Sequence, residues 1–351
     1  MELPVLEPEW EFGLFLSLFD VSFLFSFMVI CTLILIRIRE KEKRKSLLLI
    51  KSLCYTKFMG TQQGEHCAGS AFYYDEGADM LKIKNYVRPE SLEEAYELNQ
   101  KKSSCILGGM LWLKMGNRNV GTAIDLSKLG LNEIKETEEE FQIGAMTSLR
   151  ELEVHKGLAA YTNGAMKESL RHIVGVQFRN RATVGGSIFG RYGFSDVLTM
   201  FLAMDTEVEL YKRGRISLKE FAAEKPDRDI LVRLIVKKKP ARMAYISQRN
   251  SSTDFPVLTC AVSIEEDGNV KVAVGACPFR AKLVEDKENI LKGFLSMEAS
   301  EKEKAACDFA LFAKEQVRTA GNMRASKEYR SLLVQVLVKR ALLKAGGENG
   351  N

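Results

Sequence analysis

Two pairs of adjacent glycines, Gly108-Gly109 and Gly185-Gly186, stand where this chain could do chemistry. The first follows the apolar Ile106-Leu107, and the second sits in Thr183-Val184-Gly185-Gly186-Ser187. Glycine admits positive φ and lets a bulky ligand approach the backbone, so consecutive amide protons can surround a diphosphate without a lysine. Neither pair leads into Gly-Lys-Ser/Thr, and neither has the G-x-G-x-x-G spacing of a dinucleotide turn. A diglycine alone reads as a tight turn, so the residues around it must decide.

Other reactive side chains are sparse. The seven cysteines (Cys31, Cys54, Cys67, Cys105, Cys260, Cys277 and Cys307) form no C-x-x-C pair, which argues against a zinc or iron–sulfur site built on this chain. They read as reduced, mostly buried thiols of a cytoplasmic protein, with Cys260 and Cys277 in the core. His66, His155 and His172 are the only histidines, and none adjoins a glycine pair. His172 reads as a surface or cap residue.

Composition narrows the class. At 351 residues the chain exceeds one ordinary core, and two or three domains are expected. An apolar fraction of 46% with 28% charged residues belongs to a folded protein. The excess of 51 basic over 46 acidic residues is slight and partly local, in the run Arg37 to Lys45, so no nucleic-acid partner is expected.

Elements that could position the glycines follow from capping and periodicity. A strand over Leu81–Val87 leads to a helix from Ser91 to Gln100, with Ser91 and Glu94 as a capping box. Ser104–Leu107, Val120–Leu126 and Phe141–Ala145 read as short strands, and Ser148 with Glu151 opens another helix. Met166–Val174 reads as a helix, and the chain then turns through the second glycine pair. Ser195 caps a helix over Asp196–Ala203, with Asp196 against the positive end of its dipole. Strands over Glu207–Tyr211 and Ile230–Val236 follow. From about residue 243 the pattern changes: a strand near Ala244–Ser247, an antiparallel pair Val257–Glu265 and Val270–Ala276 turning at Asp267-Gly268, then helices near Ser300–Ala320 and Ser326–Lys344.

Residues 1–79 do not match the rest. The apolar segment 14–38, followed by basic residues, reads either as a membrane anchor that would leave the remainder in the cytoplasm or as the product of a start set too far upstream. A cleaved signal peptide would carry its basic residues on the other side.

The stretch Phe178-Arg179-Asn180-Arg181-Ala182-Thr183-Val184-Gly185-Gly186-Ser187-Ile188, continued by Ser195-Asp196, closely resembles the signature of the FAD-binding (medium) subunit of molybdenum hydroxylases of the xanthine dehydrogenase and carbon monoxide dehydrogenase type. Ile124-Asp125-Leu126, Ile143-Gly144-Ala145, the segment from Val274 to Ala281 and the segment from Gly321 to Arg330 are similar to further family segments, in the family's order. The resemblance covers Met80 to about Ala345.

It implies an α+β chain: a two-lobed FAD-binding fold of the vanillyl-alcohol-oxidase (PCMH) type over 80–241, then a small C-terminal α+β domain of the carbon monoxide dehydrogenase flavoprotein type over 243–346. A transmembrane helix would precede them if the anchor is genuine. It implies noncovalent FAD on Gly108, Gly109, Thr183, Gly185, Gly186, Ser187, Ser195 and Asp196, with Gly144 and Ala145 as a second tier. Molybdopterin and iron–sulfur clusters would lie only on partner chains, a molybdenum-cofactor large subunit and an iron–sulfur small subunit. Electrons would pass from them through FAD to NAD or another acceptor.

The pattern is departed from in places. Met110-Leu111-Trp112 follows the first glycine pair where the family has a small polar residue. Ser187 stands for a usual asparagine. Ile246 and Ser247 stand where some members carry a lysine near the flavin, which leaves Arg249 or backbone amides to stabilise reduced flavin. Arg191 and Tyr192 are expected to close their loop over the adenine or ribose, with Tyr192 alternatively at the flavin edge. The rival readings are a free-standing FAD oxidoreductase and a membrane-tethered binding protein of the same fold without redox activity.

Overall fold

The computed structural model describes residues 80–347. The apolar segment 14–38, with both readings of it, lies outside these residues. Among the described residues no helix is long and apolar enough to cross a membrane.

Three sheets organise the chain. The first is wholly parallel, in the order β1-β3-β2, from β1 (Lys82–Val87), β2 (Ser104–Leu107) and β3 (Asn119–Asp125). Its crossover helix α1 (Leu92–Asn99) starts where Ser91 Oγ accepts the Glu94 amide, while the Glu94 carboxylate takes the amide of Glu90 instead of Ser91. The expected box is therefore wider by one residue. Ala95 of α1 packs with Ile124, Leu126, Ile230 and Val232, tying this sheet to the next.

The second sheet is antiparallel, in the order β4-β5-β8-β6-β7: β4 (Ile134–Glu136), β5 (Glu140–Gly144), β6 (Thr206–Leu210), β7 (Gly214–Ser217) and β8 (Leu231–Lys237). Between β5 and β6 run α2 (Leu149–Val154), α3 (Lys156–Tyr161), α4 (Ala165–Leu170), α5 (Val176–Arg181), α6 (Val184–Phe189) and α7 (Asp196–Ala203). Ser148 and Glu151 close both arms of the capping box that opens α2. The helix read over Met166–Val174 ends four residues early: Val174 turns left-handed at φ 49°, and α5 begins beyond Gly175. β4, β7 and α8 (Leu218–Ala223) carry no strong sequence period and were not anticipated.

The third sheet, β12-β11-β10-β9, consists of β9 (Ala241–Gln248), β10 (Leu258–Glu265), β11 (Val270–Gly275) and β12 (Lys282–Val284). The β10–β11 hairpin has the antiparallel register read from sequence, Thr259 facing Gly275 and Ile264 facing Val270. All eight residues of β10 are buried because both of its faces are covered. Cys260, Val262 and Ile264 face α9 (Ala299–Gln316) and α10 (Lys327–Ala345). Ala261 and Ala273 face the core that contains α7, and every residue of α7 is buried. A helix enclosed by the third sheet on one side and by α4 and α6 on the other has no solvent face, which explains its apolar composition.

Candidate functional site

Both glycine pairs meet on the wall of one cavity of about 790 Å³, a size suited to a cofactor-scale ligand. A Cβ on Gly108 would lie 3.5 Å from the Gly186 Cα and 2.9 Å from Thr183 Oγ1, and a Cβ on Gly109 would lie 1.8 Å from the Arg181 carbonyl oxygen. A Cβ on Gly185 would come within 2.6 Å of the Ala145 carbonyl oxygen. These positions exclude side chains because three segments are stacked backbone on backbone.

The second pair does not form the expected loop of open amides. Its glycines sit in the first turn of α6 without positive φ. The amides of Val184, Gly185, Gly186 and Ser187 donate to Thr147 O, Ala145 O, Thr183 Oγ1 and Thr183 O at 2.9, 2.7, 3.1 and 3.1 Å. Ser187 Oγ donates back to Thr183 O at 3.0 Å. This segment offers the cavity a smooth glycine surface and a serine. The first pair differs: the amides of Gly109, Met110, Leu111 and Trp112 donate to nothing among the described residues. Met110 is left-handed at φ 61°, and a residue of that hand beside ordinary ones turns successive N–H groups toward one concave side.

Of the residues singled out in the sequence, Gly108, Gly109, Ala145, Thr183, Gly185, Gly186, Ser187, Ser195 and Asp196 all line the cavity. Gly144 does not: its missing side chain makes room for the Leu131 carbonyl, 2.1 Å from where a Cβ would stand. Ser195 Oγ accepts the Leu198 amide at 3.0 Å, as a helix cap should.

Asp196 is more than a helix-start acid. It is buried, accepts a bond from the Tyr245 hydroxyl at 2.5 Å and forms an ion pair with Arg249. Burial pushes its carboxyl above the usual range, against the pull of Arg249 and Tyr245. Burial, and then the Asp196 charge, push the Tyr245 phenol well up.

Beyond Tyr192 and Arg249, both expected near the ligand, sequence reasoning missed most of the remaining wall. Trp112, Phe178, Tyr192, Phe194 and Phe255, brought from separate segments, line the cavity as one aromatic cluster. Trp112 lies 5.5 Å from Phe194 and 5.6 Å from Phe255, and Tyr192 stacks on Phe194 at 5.2 Å. Trp112, out of place in the family pattern, is thus part of a built surface. Arg191 turns inward instead, its guanidinium 3.7 Å over the Phe221 ring and bonded to the Phe221 and Phe189 carbonyls. His172, a part-exposed residue as read, also lines the cavity and contacts Ser252 at 3.2 Å.

The cavity wall also includes Asn99, Ser104, Cys105, Arg118, Asp227, Arg228 and Asp229, a polar region for which no motif gave warning. Arg228 binds the Asn99, Lys101 and Lys102 carbonyls, and Asp229 collects the amides of Lys212, Arg213 and Ile230. Two buried polar atoms on this wall, Ser104 Oγ and Arg249 Nε, have no partner among the described residues. Buried groups seldom stay unpaired, so a ligand with acceptors fits this cavity. Among the described residues there is no cluster that could hold a metal ion.

Comparison with known proteins agrees with the resemblance. Residues 80–238 match the FAD binding domain in molybdopterin dehydrogenase, and residues 243–345 match the carbon monoxide dehydrogenase flavoprotein C-terminal domain. The Escherichia coli K12 protein YgfM, itself uncharacterized, is 26% identical over 264 residues, 73% of this chain and 94% of its own length. The nicotine 6-hydroxylase medium subunit of Paenarthrobacter nicotinovorans is 26% identical over 284 residues, 76% of this chain and 98% of that one. A chain of Hydrogenophaga pseudoflava carbon monoxide dehydrogenase superposes with a TM-score of 0.66 at 22% identity, covering 75% of this chain and 97% of that one, a likeness of fold.

Proposed function

We propose, from the premise that residues 80–345 belong to the FAD-binding medium-subunit family of molybdenum hydroxylases, that the cavity holds FAD noncovalently and that the chain relays electrons from molybdenum-cofactor and iron–sulfur partner subunits to NAD or another acceptor. The observation that carries the reading is the meeting of the two glycine pairs on one cavity wall, with the amides of Gly109 to Trp112 unspent.

FAD supplies the redox chemistry in such a subunit, and the protein supplies binding, orientation and local charge. Gly108, Gly109, Gly185 and Gly186 let a diphosphate lie against the backbone. The Gly109–Trp112 amides are its donors, and the hydroxyl of Ser187 is within reach of the same surface. Ser195 and Asp196 hold the start of α7 beneath the ligand. The aromatic cluster around Trp112 gives a planar ring system a surface to stack on and keeps water from it. Substrate oxidation takes place on the molybdenum partner, so the residues of this chain do not choose the substrate. Unpaired thiols at Cys105, Cys260, Cys277 and Cys307 accord with a cytoplasmic site.

Purified full-length chain is expected to be yellow, to release its flavin into the supernatant on acid precipitation, and to co-purify with molybdenum and iron–sulfur subunits when expressed with its neighbours. Flavin retained in the acid pellet would overturn noncovalent attachment. A colourless chain that takes up no added FAD would overturn the reading itself.

A further inference from the structure

Arg249 follows directly on β9 and lines the same cavity, with its side chain only 7% exposed. Its guanidinium is held on two sides: one terminal nitrogen donates to Asp196 Oδ1 and the other to the Asp254 carbonyl at 2.6 Å. The remaining donor, Nε, is buried and has no partner among the described residues. The aromatic Phe255 adjoins Asp254, so the cation stands beside the cluster suited to stack a flat ring system. No other cation comes from the neighbouring strand positions, which hold Ile246 and Ser247.

We propose that Arg249 sets the reduction potential of the bound flavin, and that Asp196, itself bonded by Tyr245, grades the charge Arg249 presents. The inference rests on the reading of the cavity as an FAD site. Flavin that takes up two electrons and one proton gains one negative charge; in the complex the electrons come from the iron–sulfur partner. A fixed guanidinium in a wall shielded from water favours the reduced over the oxidised ligand, and by linkage this preference is a raised potential. The Asp196 carboxylate offsets part of that charge. Arg249 and Asp196 therefore act with opposite sign, which no purely structural role for the pair would produce.

The test is a reductive titration of the full-length chain reconstituted with FAD, with dithionite as electron donor and a reference dye as reporter. Arg249→Met is expected to lower the ratio of affinities for reduced over oxidised FAD about tenfold, a fall of about 30 mV for a two-electron couple. Arg249→Lys keeps the charge and most of the potential, and Asp196→Asn raises it. If Arg249→Met does not fold, the comparison of Arg249→Lys with Asp196→Asn decides. An unchanged potential in Arg249→Met, or a downward shift in Asp196→Asn, would overturn the proposal while leaving the FAD site intact. A wild-type chain that takes up no FAD would overturn both.

Discussion

A methyl group on Gly185 would stand 2.6 Å from the Ala145 carbonyl oxygen and 2.8 Å from the Ala145 Cβ, whereas one on Gly186 would meet only Thr183 Oγ1 at 3.1 Å before reaching Gly108 at 4.0 Å. The two glycines of one pair thus have separate tasks. Gly185→Ala is expected to destabilise the fold by about 2 kcal/mol, as overpacking against backbone does, and to lower the melting temperature of the FAD-free chain. Gly186→Val is expected to cost less in the FAD-free melt yet weaken FAD binding at least about tenfold, since its branches enter the cavity. Calorimetric titration beside the melts checks both, and equal FAD affinity in Gly186→Val and the wild type would remove this surface from the site. The identity of these residues was legible because a motif of eleven positions fixes them. Their task was not, because a sequence does not say whether a glycine yields positive φ or yields space. Asp196 shows the same limit: the helix start was readable, but its pairing with Arg249 and Tyr245 joins residues some fifty positions apart.

At the scale of elements, the strongest signals were local ones. Ser91, Ser148, Ser195 and Ser326 cap the helices they announced, each hydroxyl accepting an amide three residues on. Short elements between sheets were lost, because a strand of three residues or a six-residue helix has too few positions to show a period. The motif arginine Arg179 illustrates a residue that the resemblance marks and packing explains. Its Nε donates to Glu153 Oε2 at 2.8 Å, and both side chains are buried on the helices α2 and α5. Burial raises the Glu153 carboxyl, but the bonds from Arg179 and Arg150 outweigh it and hold the carboxyl below its usual range. A carboxyl lowered on folding contributes stability that is present above the unfolded value, about 4.3 for glutamate, and is lost as pH falls through the folded value. Glu153→Gln, which leaves Arg179 buried without a counter-charge, should lose about 3 kcal/mol near neutrality. The gap to the wild type should begin to narrow as pH falls below the unfolded value and close only once pH has passed below the lowered folded value, where both carry a neutral side chain. Urea melts at several pH values test this, and a gap independent of pH would assign the loss to shape instead of charge.

At the scale of the whole molecule, the order of the resembling segments foretold an α+β chain, but not how its sheets share a core. Tyr245, Ala261 and Ala273 of the third sheet pack in one cluster with Phe141, Leu234 and the α7 residues of the second. The opposite face of that sheet, with Cys260, Val262 and Ile264, packs under α9 and α10. Arg330, almost wholly buried in α10, donates to the carbonyls of Val257, Ala320 and Ala325 and to Asn322 Oδ1, which ties the C-terminal helix to the sheet. The C-terminal residues are thus part of what positions Arg249 on the cavity wall and Tyr245 behind Asp196, and removing them should cost FAD binding as well as stability. The N-terminal side leads to the opposite expectation. Every core cluster among the described residues, and every residue assigned to the cavity, lies between Leu81 and Ala345. A chain of residues 80–351 should therefore fold with a cooperative melt and bind FAD with the affinity of the full-length chain, because the two family matches begin at residue 80 and span the described cores and cavity wall. Expression of that shortened chain, followed by gel filtration, thermal melting and FAD titration, is the measurement. If it aggregates or binds FAD more than about tenfold more weakly than the full chain, residues 1–79 contribute to the fold or the site directly.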